Sequence, residues 1–453
     1  MIVMKFGGTS VGDPERIDVA CRLVERAAAA GSRPAVVVSA HAGVTNMLFR
    51  LARQAVERGS ADVDEVEERH YEILGALGLE RDLIAPEIRE LRALLTGIGL
   101  VRELTPRTED VIASFGERMS AKVVAARMRA LGIEATALTA WEAGLVTDAR
   151  FGAARPLPGI EAEIRRRVFA AQGVPVITGY IGRTERGEVT TLGRGGSDYS
   201  AAIFGAALEA EEIQIWTDVD GVLTADPKVV PAARILEELS FEEASELAFF
   251  GAKVIHPATM LPAVEKNIPI RVLNTFNPSA RGTRIVAKSE RSREVVKCIA
   301  ARRGVRVLNV SSSRMLGAHG FIRRMGEVFD RHEVPIDMMA TSEVSVSLTV
   351  DEKVPIAPVV AEISQFARVE DEGGRAIVCV VGQGLRETPG IAAKAFQALA
   401  RAGVNVLMIS QGASRINLGV VVDGADAEKS VRTLHVEFFG DTEPATAKIS
   451  RPA

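Results

Sequence analysis

Lys5 closes an apolar run and is followed at once by two glycines, in Met4-Lys5-Phe6-Gly7-Gly8-Thr9-Ser10-Val11-Gly12. Glycines let backbone N–H groups close on phosphate oxygens, a helix starting there favours an anion, and Lys5 adds a fixed positive charge. The same residues also fit a tight strand-to-helix turn with a solvated lysine. Gly8-Thr9-Ser10-Val11-Gly12 matches the Gly-x-Ser-x-Gly elbow of serine hydrolases as well. That elbow draws its oxyanion-hole loop from an earlier strand, and no strand precedes this one in the sequence. Neither a Walker A loop nor the kinase His-Arg-Asp and Asp-Phe-Gly triplets occur, so phosphate chemistry here needs another architecture.

A second constellation is Thr190-Thr191-Leu192-Gly193-Arg194-Gly195-Gly196-Ser197-Asp198. An arginine between glycines can fork onto a carboxylate or phosphate, and Asp198 can pair with an ammonium. Alternatively, the loop is merely glycine-rich and Asp198 caps the following helix. Trp216-Thr217-Asp218-Val219-Asp220-Gly221 is a third, readable also as a strand end with an Asp-Gly turn. Glu117 lies on a helical stretch, where an exposed glutamate is the default. Thr45 and Asn46 follow another strand-to-loop passage from Ser39, and His256 reads as a packing or capping histidine because no Ser or Cys partners it.

These groups need elements to hold them. Apolar runs predict strands at 2–6, 35–39, 135–139, 174–179, 212–217 and 270–274, and Asp13-Pro14-Glu15 predicts a capped helix start. Residues 62–127 read as mostly helical. Strand-helix alternation implies an α/β sandwich with a largely parallel sheet. After a charged connector at 288–294, a strand-helix-strand-strand-helix order appears and then recurs from residue 376. At about 70 residues the repeat exceeds solenoid periods and implies a duplicated βαββαβ domain. The second copy runs short of a last strand, which the segment 295–301 can supply.

Composition narrows the class. The 453 residues are 47% hydrophobic and 25% charged, the balance of an ordinary globular protein, with a prior of about three domains. A net charge of −4 provides no basic field for nucleic acid or anionic lipid. The three cysteines are far apart and odd in number, which fits reduced thiols in a cytosol rather than a disulfide framework or zinc site. No apolar run reaches the roughly 18 residues of a membrane span. The opening reads as strand and turn rather than a signal peptide, so a cytoplasmic location is expected.

Taken together, five segments in order resemble the aspartate kinases of the amino acid kinase family: KFGGTSVG at 5–12, SFGERMSA at 114–121, TLGRGGSDYSA at 191–201, WTDVDGVLTADP at 216–227 and FGAKVIHP at 250–257. The repeated tail resembles paired ACT domains. The resemblance implies an amino acid kinase-like three-layer sandwich with a largely parallel central sheet over 1–287, a linker and strand at 288–303, ACT domains at 304–374 and 375–440, and a tail at 441–453. It implies γ-phosphoryl transfer from ATP, carried with Mg²⁺, to the side-chain carboxylate of L-aspartate, the first step toward lysine, threonine and methionine. No room remains for the homoserine dehydrogenase fused to some relatives. A related kinase acting on another carboxylate, or an inactive amino-acid sensor, are the competing readings, and intact Lys5, Arg194 and Asp198 argue against the sensor.

By matching position, the resemblance makes Lys5, Arg194 and Asp198 catalytic and places Ser39, Thr45, Glu117, Tyr180, Arg194, Ser197 and Asp198 around aspartate. Lys5, Gly7, Gly8, Thr9, Thr217, Asp218, Lys228 and Lys253 would serve ATP, with no protein side chain assigned to the metal. Many relatives have a tyrosine where this chain has Leu223 and an arginine where it has Lys228, a departure on the nucleotide side. Met315, Phe321, Ile322, Asp337, Thr341, Ser342 and Glu343 match the lysine effector site of lysine-sensitive relatives, although Gly317 and His319 differ from them. The same match implies a homodimer or homotetramer joined through ACT domains, and neither nucleic acid nor membrane as partner.

Overall fold

The computed structural model describes residues 1–250, 257–289, 295–312, 319–385, 387–412 and 416–440. They divide into two compact units. The first comprises Met1–Val222, Glu237–Phe241 and the chain leading to Ser289; the second takes Leu223–Leu236, the chain from Glu242 to 253, and everything after Ser289.

An eight-stranded sheet forms the first unit. Ile2–Phe6 lies at its centre, parallel to Pro34–Val38 on one side and to Glu212–Thr217 on the other. Every residue of Ile2–Phe6 and Pro34–Val38 is buried, as continuous apolar runs in a parallel sheet covered on both faces should be. Ala135–Leu138 and Val174–Thr178 extend the sheet one way, Ile270–Asn274 the other, all parallel. Thr283–Val286 then turns antiparallel and carries Glu238–Ser240 at the edge. From Ile2–Phe6 the chain moves first to one neighbour and much later to the other. The crevice beyond the carboxyl ends of Ile2–Phe6 and Glu212–Thr217 is thus a topological switch point, where α/β sheets bind ligands.

Local chemistry sets the flanking helices. Asp13 accepts a hydrogen bond from the Arg16 N–H (2.9 Å) and starts Pro14–Ala29, which buries Ile17, Ala20, Leu23 and Val24. Thr105 caps Pro106–Ala130 in the same way, and that helix buries Ile112, Phe115 and Met119 against the sheet. A separate three-stranded sheet of Val146–Thr147, Ile181–Thr184 and Val189–Thr191 supports the arginine loop. Sequence patterning did not predict it, because two- to four-residue strands carry too little alternation.

The second unit is built on a six-stranded antiparallel sheet. Its Cys298–Ser311 is one strand of fourteen residues, interrupted by register shifts beside Gly304. The first half pairs only with Ala376–Val381; the second pairs with both Ser345–Asp351 and the start of Arg368–Val381. Arg368–Val381 in turn pairs with Asn417–Asp423. Helices Phe321–Arg331 and Ala357–Ile363 cover one half of this sheet, Ile391–Arg401 and Ala427–Phe439 the other, each half with its own apolar core. Residues from Leu223–Leu236 join the second core through Ala225 and Val230. Thr224 reinforces this, accepting from Ile299 N (2.8 Å) and meeting His435 Nε2 (2.9 Å).

Candidate active site

The crevice beyond the central strands opens into a cleft of about 590 Å³, lined by residues from five loops and by Glu117 of the helix Pro106–Ala130. Lys5 is the last-but-one residue of its strand, so its side chain emerges at the sheet's carboxyl edge. There it meets Asp198 at 2.6 Å, both side chains largely shielded from solvent. Gly7 donates to Trp216 O (3.2 Å), which lays the phosphate-type turn against the neighbouring strand. A Cβ on Gly8 would stand 2.9 Å from Ala40 O, so a side chain there would collide with the opposing backbone.

Arg194 sits between Gly193 and Gly195, whose φ values of 79° and 69° lie in the left-handed region where glycine is unstrained. Gly195 caps Gly196–Ala207, and Ser197 and Asp198 occupy its first turn, at the positive end of the helix. Among the described residues Arg194 has no carboxylate partner, and it is exposed at the cleft wall.

Glu117 is 3% exposed. One carboxyl oxygen accepts from Ala40 N (3.2 Å), while the other is buried and has no partner among the described residues. Burial pushes its pKa up to about 8, against the pull of the Ala40 N–H. A buried carboxyl with one open oxygen, in a cleft that also presents Arg194 and the Lys5–Asp198 pair, suits a zwitterion: an ammonium for the acids and a carboxylate for the arginine.

The amino acid kinase family model matches residues 1–274, and an ACT domain model matches 378–438. Aspartokinase 3 (chloroplastic) of Arabidopsis thaliana is 39% identical over 457 residues, covering 96% of this chain and 81% of that protein. Lysine-sensitive aspartokinase 3 of Escherichia coli (strain K12) is 36% identical over 454 residues, covering 97% and 99%. The chain belongs to the aspartokinases of the amino acid kinase family. Among solved structures, E. coli aspartokinase III in complex with aspartate and ADP (R-state) matches with a TM-score of 0.82 at 35% identity, covering 97% of this chain and 100% of that one. The same enzyme in complex with lysine and aspartate (T-state) matches with a TM-score of 0.75 at 36% identity, covering 97% and 99%.

The aspartokinase cleft brings together Lys5, Gly8, Ser39, Thr45, Glu117, Tyr180, Arg194, Ser197 and Asp198. Tyr180 is held at φ 65°, a left-handed conformation that costs a non-glycine residue on the order of 1–2 kcal/mol. Its N–H donates to Ser200 Oγ (2.9 Å), its carbonyl accepts from Leu192 N (2.8 Å), and its ring lies where a Cβ on Gly196 would be. Such strain persists only where the surroundings over-determine it.

Other expected residues lie apart from this group. Gly7 is buried in the turn and Thr9 is exposed on it. Thr217 and Asp218 end the strand beside Lys5, bonded to each other (3.2 Å) but outside the cleft lining. Lys228 is exposed and belongs to the second unit. Lys253, His256, Met315 and Gly317 lie outside the described residues. In the second unit, Asp337 is engaged by Arg302 (2.8 Å), which also holds Asp351 (3.0 Å). Burial raises the Asp337 pKa and Arg302 opposes that. Phe321 packs edge-on against Phe366, and Ile322 is exposed. Thr341, Ser342 and Glu343 form an exposed hairpin tip closed by Ser342 and Ser345.

Two residues in or beside the cleft escaped the sequence reading. Asp110 is buried and accepts from Gly152 N (2.9 Å), Thr191 N (2.9 Å) and Thr191 Oγ1 (2.6 Å), tying together two loops that flank the cleft. His41 lies in the cleft lining at 1% exposure. Asp110 is one helix turn from the recognised SFGERMSA segment, and His41 sits two residues past Ser39. Proximity to motifs was the only available signal for either.

Proposed function

We propose that this cleft transfers the γ-phosphoryl group of ATP to the side-chain carboxylate of L-aspartate, giving 4-phospho-L-aspartate and ADP. The observation that carries this reading is the meeting of Lys5 and Asp198 in one cleft with the open carboxyl oxygen of Glu117 and with Arg194. A carboxylate acceptor has a pKa of about 3.9 and is ionised near neutrality, so no general base is required. The obstacle is repulsion between two anions, which is overcome by positioning and by fixed positive charge.

In this reading Arg194 takes the α-carboxylate of aspartate, and Glu117 and Asp198 take its ammonium. Ser39, Thr45, Tyr180 and Ser197 border the reacting carboxylate. As aspartate's ammonium engages Asp198, the Lys5 ammonium is freed to face the phosphoryl oxygens, beside the N–H groups of Gly8 and Thr9, in a turn that Gly7 ties to Trp216 O. Thr217, Asp218, Lys228 and Lys253 serve the nucleotide. Among the described residues no three His, Cys, Asp or Glu side chains converge as a metal site. Mg²⁺ is proposed to arrive on the nucleotide phosphates and water, where it would offset phosphate charge.

The second unit is proposed as a pair of effector-binding ACT domains, 304–374 and 375–440, with 288–303 lending a strand to the second. Lysine is the leading effector, at Met315, Phe321, Ile322, Asp337, Thr341, Ser342 and Glu343. The likeness to a lysine-sensitive enzyme supports this, as does a buried acid already holding a cationic side chain at Asp337. The proposed setting is cytoplasmic, at the head of lysine, threonine and methionine synthesis, as a homodimer or homotetramer joined through the ACT domains. Hydroxamate trapping with ATP and Mg²⁺ tests the reaction: product with aspartate and none with glutamate or N-acetylglutamate is expected. No acyl phosphate from any of the three would overturn it. Repeating the assay with lysine, threonine or both tests the effector.

A further inference from the structure

Two turns face each other across the cleft: the phosphate-side turn Gly8–Val11 and the carboxylate-side turn 39–43. Their backbones are in close contact, since a Cβ on Gly8 would reach Ala40 O at 2.9 Å and one on Gly12 would reach the Ala42 Cβ at 3.0 Å. The end of a short helical turn leaves carbonyls without intrahelical donors. Here two successive carbonyls are satisfied by side chains from elsewhere. Val11 O is met by His41 Nδ1 at 2.5 Å, and Gly12 O receives Arg69 Nη2 at 2.7 Å. A carbonyl can only accept, so Nδ1 of His41 carries the proton.

Behind His41 stands His70, fully buried, its ring centroid 5.3 Å away. His70 Nδ1 donates in turn to Val66 O (2.6 Å) within the helix Asp64–Ala76, which also carries Arg69. Burial holds both imidazoles neutral, with each pKa well below the usual histidine range. Neither Nε2 has a partner among the described residues. The net arrangement is a clamp: one helix, away from the reacting groups, fixes the exit of the phosphate-side turn through Arg69 and supports the histidine that ties the two turns together.

We infer that His41 is a positioning residue that sets the carboxylate-side turn in register with the phosphate-side turn, with His70 as its backing. This rests on the reading of the two turns given under Proposed function. A near-attack geometry between two separately held substrates is sensitive to displacements on the order of 1 Å, which can cost about a hundred-fold in rate. Loss of the tie should therefore act on turnover rather than on the binding of either substrate.

The test compares His41→Leu, which keeps bulk but cannot donate, with His41→Asn, whose side-chain N–H can replace Nδ1–H. Steady-state kinetics by hydroxamate trapping and by ADP release should show kcat lowered at least ten-fold in His41→Leu, with KM for aspartate and for ATP each within about three-fold. His41→Asn should recover most of that kcat even though its melting temperature stays lowered by the lost ring. Equal kcat in His41→Leu and the parent protein, or equal losses in the leucine and asparagine variants, would overturn the inference. Should His41→Leu not fold, His70→Phe, which keeps a ring behind His41 and gives up only the Val66 bond, is expected to retain kcat within about three-fold, and a ten-fold loss there would count against the assignment to His41. Absence of acyl phosphate in the parent protein would instead fail the functional reading itself.

Discussion

Lys5 and Asp198, 193 positions apart in sequence, meet at 2.6 Å at the mouth of the central strands. Each neutralises the other, so neither charge stands uncompensated in a partly desolvated place. Substrate must exchange this internal pair for two external ones. Lys5→Ala should lower kcat about a hundred- to a thousand-fold, in line with losing one preorganised charge. The KM for aspartate should move far less. Hydroxamate kinetics check both, and an unchanged kcat would contradict the role of Lys5.

Glu117 predicts proton-linked substrate binding. Its carboxyl, raised to about 8 by burial, is mostly protonated at pH 7 in the empty cleft. An incoming ammonium favours the charged form, so binding releases up to one proton. The KM for aspartate is therefore expected to fall as pH rises from 7 to 8 and to level off beyond. Calorimetry in buffers of different ionisation heat should report the proton, and Glu117→Gln should abolish the pH dependence. Without substrate the sign for stability is opposite: the contribution is fully present below the ordinary glutamate pKa and is lost as pH rises through about 8.

The buried histidines set the acid limit. His41 is lowered to about 3 and His70 to about 4, chiefly by burial, with the neighbouring ring and Arg69 adding to the shift at His41. Depressed histidines favour the folded state fully above the unfolded pKa of about 6.5 and progressively less below it, down to their folded values. Urea unfolding should show stability declining by as much as about 1.4 kcal/mol per pH unit for each histidine between pH 6 and 4. The decline should be shallower in His70→Gln.

Asp110 should matter to both stability and binding. Asp110→Ala leaves the buried N–H of Thr191 without its acceptor, at about 1–3 kcal/mol, and releases the N–H of the exposed Gly152. Because Gly152 and Gly193 line the cleft, the KM for aspartate should rise alongside the loss of melting temperature. A destabilised variant with unaltered KM would show that the tie is structural only.

In the second unit, Arg302 already occupies Asp337. If lysine binds there, its ammonium competes with the guanidinium. Asp337→Asn is expected to leave kcat without lysine unchanged and to raise the lysine concentration for half-inhibition at least ten-fold, as inhibition assays would show.

Legibility of the sequence followed the strength of the local signal. Ile2–Phe6, Glu212–Thr217 and Ile270–Asn274 were bounded correctly because each clusters or alternates β-branched and other apolar residues between turn residues. Glu238–Ser240 and the three-stranded sheet escaped because strands so short have no period to read. The segment 295–301 was read as a strand separate from the first strand of the repeat that follows it, whereas Cys298–Ser311 is continuous, its register shifts falling beside Gly304. Glu117 looked like a surface glutamate, since helical spacing alone does not say which face meets a second loop. Its burial depends on Ala40, 77 positions away. His41 and Asp110 act through carbonyls and amides, which every residue has, so their side-chain types announced nothing.

The residues Leu223–Leu236 lie between Val222 and Glu237, both in the catalytic unit, yet they pack into the core of the regulatory one. The chain therefore cannot be divided by a single cut. A protein ending at Ser289 would retain Ala225 and Val230 while losing Val378, Val420 and Leu434, the apolar surface that covers them. It should aggregate rather than run unregulated. On the proposed reading of the ACT unit as effector-binding, release from inhibition is thus expected to come from single substitutions that spare this core, not from proteolysis or gene truncation.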